Sequence, residues 1–283
     1  MVKIISDSSS LYSIEQAKAN NLEITPLSVT INNVTYKEYE EIQTEEFIDI
    51  INEGHIPVSS QPSIGEVIEL YNRYPNDEII NICMADGLSG TYNSACTAKH
   101  LVENSDRIDV VNSKTLCGPQ RYLVDLAVKL AEMDKPKKEI LEELHKLMET
   151  SQSYLIPKDF DFLVRGGRLS HLAGRIGALI NLVPVMMLSE ERSKLTKFTA
   201  KRTFNKAVSK ICEDLIKLGV DSSFKIYISH ACIEELANTA KKIIENNIEN
   251  ADIEIKKLGP AFTTQGGPGC IAIQMIKKHS ILG

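Results

Sequence analysis

Four short stretches carry residue types, at spacings, that can hold an anion. Ser59-Ser60-Gln61-Pro62-Ser63 sets hydroxyls ahead of Ser63-Ile64-Gly65-Glu66, which has the Ser-x-x-Glu spacing of a capping box. Open backbone N–H groups at a helix start favour an anion, and serines there equally serve as caps. Gly87-Leu88-Ser89-Gly90-Thr91-Tyr92 follows an apolar run and precedes a helical pattern, an arrangement that suits an anion cradle in an open α/β sheet or a plain turn. It is not a dinucleotide fingerprint, because Gly-x-Gly-x-x-Gly is absent, nor a P-loop, because no Gly-Lys-Ser/Thr closes it. Arg165-Gly166-Gly167-Arg168 flanks two glycines with guanidinium groups, whose planar forks match carboxylate or phosphate. Gln265-Gly266-Gly267-Pro268-Gly269 marks a tight, shaped loop.

The elements that must position these stretches alternate in type. Extended runs are expected at Val2–Ile5, 23–38 with a turn at Asn32-Asn33, Glu78–Met84 and Arg107–Val111. Helical patterns are expected at 13–20, from Ser63 to Tyr74, 89–104, 115–133 and from Pro136 to Met148. The pattern then restarts, with a helix at 170–182, strands at Val183–Leu188 and Leu195–Thr199, and a helix at 203–218 stopped by Gly219. A strand at 224–229, a helix at 233–248, a strand at 253–258 and an apolar segment at 271–276 complete the chain. Strands alternating with helices indicate an α/β protein with largely parallel pairing in the first half. At roughly 150 residues per domain, 283 residues fit two domains, with the join near Ser151–Pro157 and the division drawn as 1–153 and 154–283.

Composition narrows the function. With 32 basic against 38 acidic residues the net charge is −6, which argues against non-specific nucleic-acid binding. The longest apolar stretch, 176–188, contains Asn181 and Pro184 and is too short to span a bilayer. Its residues, among them Ile176, Leu179, Ile180, Val183 and Met186, suit either a core or the wall of a cavity for a long apolar ligand. Six scattered cysteines without a Cys-x-x-Cys pair, and equally scattered histidines, give no metal spacing and fit reduced thiols in a cytoplasmic protein.

Taken in order, Asp7-Ser8-Ser9-Ser10, Ser60-Gln61-Pro62-Ser63, the run from Gly87 to Ala95, Gly166-Gly167-Arg168-Leu169-Ser170 and Gly267-Pro268-Gly269 resemble the DegV family, the fatty-acid-binding subunits of the bacterial fatty acid kinase. The resemblance implies a two-domain α/β fold with one long-chain fatty acid buried between the domains, its carboxylate near their interface. It implies a carrier without catalytic residues or cofactor, whose ligand a separate ATP-dependent kinase subunit converts to an acyl-phosphate. By the same resemblance, Ser59 and Ser89 bind the carboxylate, while Arg168 and Arg202 belong to a charged region facing the kinase. Two departures stand out. Ala85 and Asp86 replace a usual pair of serines, and Gln265 stands where the family usually has histidine. Loss of that imidazole favours a second reading, a lipid-binding sensor without kinase coupling. A serine hydrolase is the third, although neither Ser59 nor Ser89 sits in Gly-x-Ser-x-Gly.

Overall fold

A computed structural model describes residues 1–169 and 181–282. Its elements run β1 (Val2–Asp7), α1 (Ile14–Ala19), β2 (Leu22–Thr25), β3 (Ser28–Ile31), β4 (Val34–Lys37), α2 (Thr44–Asn52), β5 (Val58–Ser60) and α3 (Ile64–Asn72). They continue with β6 (Glu78–Cys83), α4 (Thr91–Leu101), β7 (Ile108–Asn112), α5 (Cys117–Glu132), α6 (Lys137–Met148), β8 (Gln152–Ile156) and α7 (Phe160–Gly166). After the undescribed stretch come β9 (Val183–Leu188), β10 (Leu195–Lys201), α8 (Phe204–Lys217), β11 (Phe224–His230), α9 (Glu234–Glu245), β12 (Asp252–Lys257), α10 (Pro260–Gly266) and β13 (Ile271–Lys277). The helix expected over 170–182, and with it Ile176, Leu179 and Ile180, lies largely outside the described residues.

Three sheets organise the fold. The first is parallel, in the order β2-β1-β6-β7. Its central strands are buried on both faces, which is why they read as continuous apolar runs. The chain steps from β1 outward to β2 and later resumes on the other side at β6, so the topological switch point lies between β1 and β6. In open α/β sheets that point, at the carboxyl ends of the strands, is where ligands bind. The second sheet, β10-β9-β8-β13-β11-β12, is antiparallel except for the β11–β12 pair. The third is a small antiparallel sheet, β4-β3-β5. Its hairpin turns at Asn32 and Asn33, both at positive φ (50° and 60°), as a tight turn with right-handed strand twist requires.

One expectation needs correction. The Ser-Gln-Ser and proline around 151–157 read as a join, yet Gln152–Ile156 forms β8, paired on one side with β13 and on the other with β9. The division drawn between 153 and 154 therefore passes through a strand inside the six-stranded sheet. At the α3 N-terminus the expected capping box forms. Ser63 accepts from Glu66 N–H (3.3 Å) while Glu66 accepts from Ser63 N–H (3.2 Å), so two of the N–H groups at this helix start are met by the helix's own side chains.

Candidate functional site

The carboxyl ends of β1, β6 and β7 open onto a cavity. Its far wall is one face of the six-stranded sheet, through Ser153 and Leu155 on β8, Leu188 on β9 and Ala272 and Gln274 on β13. The three-stranded sheet and α10 close the remaining side. The wall is mostly apolar, with Leu11, Leu27, Met84, Leu88, Leu116, Leu163, Leu195 and Phe262 drawn from seven segments. These leucines belong to the same buried cluster as Phe47, Met186 and Ala231, so the cavity is hollowed out of a hydrophobic core.

At one part of this wall the four polar stretches meet in a ring. Gln265 on α10 donates through Nε2 to Ser59 Oγ on β5 at 3.0 Å. Gly166, ending α7, lies against the same amide: a Cβ there would stand 2.0 Å from Gln265 Oε1 and would push that side chain aside. Arg168, two residues on, donates through Nε to the Leu88 carbonyl at 3.1 Å and through Nη1 to the Gly166 carbonyl. Gln61 in turn lies across Gly90, its Nε2 3.0 Å from where a Cβ would be. Ser59, Ser89, Arg168 and Gln265 thus all line one cavity, although Ser59 and Gln265 are 206 residues apart.

The chemistry of the ring is that of donors facing an acceptor. Ser59 Oγ already accepts from Gln265, so its own hydrogen is left to be given elsewhere. Ser89 Oγ accepts from Thr91 N–H at 3.3 Å and shares a 2.8 Å contact with Thr91 Oγ1, a local turn just before α4, and it is also a wall residue. Burial pulls the Arg168 guanidinium below its usual range, and no carboxylate of the described residues pairs with it. The Gln265 Oε1 is buried and has no partner among the described residues. Neither serine is hydrogen-bonded to a histidine or carboxylate, so no described residue stands as base for a serine nucleophile.

Placement differs from expectation at three of four positions. Arg168 sits in the cavity wall rather than on an outward surface, because its Nε anchors the loop that carries Ser89. Arg202 is exposed, just beyond β10, and does not line the cavity. Val183 lies on the other face of β9, packed with Val185 and Met187 toward α8 and α9; side chains alternate along a strand, so only Pro184, Met186 and Leu188 share the cavity side. Met186 is fully buried in the core around the cavity, and Leu188 is the β9 residue that reaches its wall.

Glu38 is a wall residue that the sequence pattern conceals, sitting in the charged run Lys37-Glu38-Tyr39-Glu40-Glu41. It is 2% exposed. Its carboxyl accepts from Ser8 Oγ at 2.5 Å and from Ala261 N–H at 2.8 Å, tying the end of β4 to the ends of β1 and α10. Burial pushes it up to about 7, with the nearby Asp7 adding to the rise.

An apolar cavity at a parallel-sheet switch point, with a ring of hydroxyl, amide and guanidinium groups in its wall, is the setting in which α/β proteins hold small molecules. Residues 1–278 match the model of the DegV family, described there as an uncharacterised protein family, and the chain belongs to that family. A DegV domain-containing protein of Staphylococcus aureus (strain N315) is 31% identical over 278 residues, covering 97% of this chain and 98% of its own. Among solved structures, a DegV family protein from Thermus thermophilus described by its fatty acid binding superposes with a TM-score of 0.89 at 22% identity, over 98% of this chain and 99% of that one. DegV from Bacillus subtilis, described as a fatty acid binding protein, gives 0.85 at 27% identity over the same shares. A stearic acid-binding protein from Eubacterium ventriosum gives 0.87 at 22%, again over 98% and 99%.

Proposed function

We propose that this protein binds one long-chain fatty acid in the cavity, with the carboxylate at the ring formed by Ser59, Ser89, Arg168 and Gln265. The observation that carries this reading is the meeting of four polar stretches, distant in sequence, on one wall of an otherwise apolar cavity. Burying acyl CH₂ groups yields about 0.8 kcal/mol each, so a chain of about 16 carbons offers roughly 12 kcal/mol before association costs. The head group is the costly part, because an unpaired carboxylate in that setting loses several kcal/mol. Ser59 with its spare hydrogen, Ser89 at the helix start and the Arg168 guanidinium answer that cost. Arg168 is therefore assigned to the head group rather than to a kinase-facing surface.

The family resemblance supports a further step, in which the bound carboxylate is presented to a separate ATP-dependent kinase subunit for acyl-phosphate formation. Arg202, exposed outside the cavity, is the residue kept for that docking role. Gln265 favours the second reading, a lipid-binding sensor, since an amide cannot supply the charge of an imidazolium beside a transferred phosphoryl group. Native mass spectrometry of the purified protein tests the binding step: a non-covalent adduct with the mass of a long-chain fatty acid is expected. Only the free protein mass, with no uptake on titration with hexadecanoic acid, refutes it. Incubating the loaded protein with a fatty acid kinase subunit and ATP separates the two readings, since acyl-phosphate forms only for a carrier.

A further inference from the structure

We propose that the cavity has a second polar station, Glu38 with Tyr39, which takes a hydroxyl group on the acyl chain and makes a hydroxylated long-chain fatty acid the preferred ligand. This rests on the fatty-acid reading above and specifies the class of acid. Both residues line the same cavity as the ring. Their position is fixed by α10: Ala261, whose N–H is bound to Glu38, precedes Gln265 by four residues, about 6 Å of helix rise. An acyl chain whose head lies at Gln265 and whose tail follows α10 passes Glu38 and Tyr39 within its first several carbons.

An all-methylene chain is a poor match for that part of the wall. The Tyr39 hydroxyl has no hydrogen-bond partner among the described residues. Glu38 accepts one bond at each oxygen, from Ser8 and from Ala261, and a carboxylate has lone-pair sites beyond those two. The two oxygens are neighbours. A Cβ at Gly259 would stand 2.5 Å from Tyr39 Oη and 2.7 Å from Glu38 Oε2, which places them within about 5 Å of one another, and glycine at that position is what leaves room for both. A single hydroxyl seated between them donates to the carboxyl of Glu38 and accepts from the Tyr39 phenol. An unsubstituted chain offers neither bond and leaves both groups desolvated. Recognition by a buried donor–acceptor pair discriminates strongly, because the ligand that lacks the hydroxyl leaves the pair unmet.

The test is a displacement titration of the wild-type protein with hexadecanoic acid and with a set of hexadecanoic acids bearing one hydroxyl at successive chain positions. At least one positional isomer is expected to bind about tenfold tighter than the unsubstituted acid, as two added hydrogen bonds, one to the carboxyl group and one to the phenol, imply. In Tyr39→Phe and in Glu38→Gln the ratio of the two affinities is expected to fall to about threefold or less, each variant first checked for cooperative thermal unfolding. If no isomer outbinds the unsubstituted acid in the wild type, the station holds only solvent and the proposal is overturned. A preference that survives intact in both variants places the hydroxyl elsewhere and overturns it equally. Failure of every acid in the set to bind is a different result, which overturns the fatty-acid reading itself and this proposal with it.

Discussion

Replacing Glu38 by Gln tests whether this carboxyl is buried and raised as its surroundings demand. The unfolded chain releases this proton near 4.5, the folded chain near 7, because burial opposes the charge more than its two hydrogen bonds favour it. Between those values the native state holds more protons than the unfolded state, so stability falls as pH rises through the window. With 1.36 kcal/mol per pH unit of displacement, the loss attributable to Glu38 is about 3 kcal/mol, complete above about pH 7 and absent below about pH 4.5. Glutamine does not titrate. It can still accept the Ala261 N–H, and Ser8 Oγ, which already accepts from Leu27 N–H, has a second lone pair for the new amide. Urea unfolding of both proteins at about pH 4.5 and about pH 8 isolates the effect, since titrations shared by the two largely cancel in the difference. The wild type is expected to lose about 3 kcal/mol more than Glu38→Gln between the two conditions. Asp7, buried and also raised, couples to Glu38, so the difference belongs in part to the pair. Parallel stability–pH curves for the two proteins refute the reasoning.

Three further substitutions probe the ring, the surface outside it and its support. Arg168→Ala is expected to weaken binding of hexadecanoic acid by tenfold or more, while Arg202→Ala changes it by less than about twofold; equal effects in a displacement titration show that the head-group wall has been misassigned. Gly87→Ala places a Cβ 2.2 Å from the Ser193 Cα in the turn between β9 and β10, and because that neighbour is backbone the loop must move. A destabilisation of about 1–3 kcal/mol in urea unfolding is expected, and an unchanged midpoint shows that this contact is not tight.

Periodicity and punctuation made most of the elements legible, because each of those signals is local. The buried central strands β1 and β6 read as apolar runs, Asn32-Asn33 as a tight turn, and Ser63 with Glu66 as a helix start, and all three stand in the structure. What failed locally failed for tertiary reasons. Strand β8 carries Gln152 and Ser153, a turn-like composition, because Ser153 faces the cavity and accepts from Gln274 at 2.9 Å on the strand beside it. Helix α10 hides between a proline and a glycine cluster because Pro260 opens it and Gly266 ends it, leaving seven residues too few for a period to show.

The polar half of the site was easier to find than the apolar half, and the reason is chemical. A serine, an arginine or a glycine pair stands out at the end of an apolar run, so the ring residues announced themselves even though the contacts that join them span 206 and 80 positions. A leucine in a cavity wall looks the same as a leucine in a core. The wall takes single residues from many segments, such as Leu11, Leu27, Leu116 and Leu188, and no window along the chain contains more than a few of them. The apolar run at 176–188 drew attention because Asn181 is its one polar residue, but along β9 the pleat turns Val183 away from the cavity and only alternate residues toward it. Glu38 is the complementary case. In the sequence it is one acid among several on a charged run, and it becomes a buried carboxyl only because Ser8 and the start of α10, 30 and 223 residues distant, close over it. A charged residue is informative when it is buried, and burial is settled by contacts that no local pattern encodes.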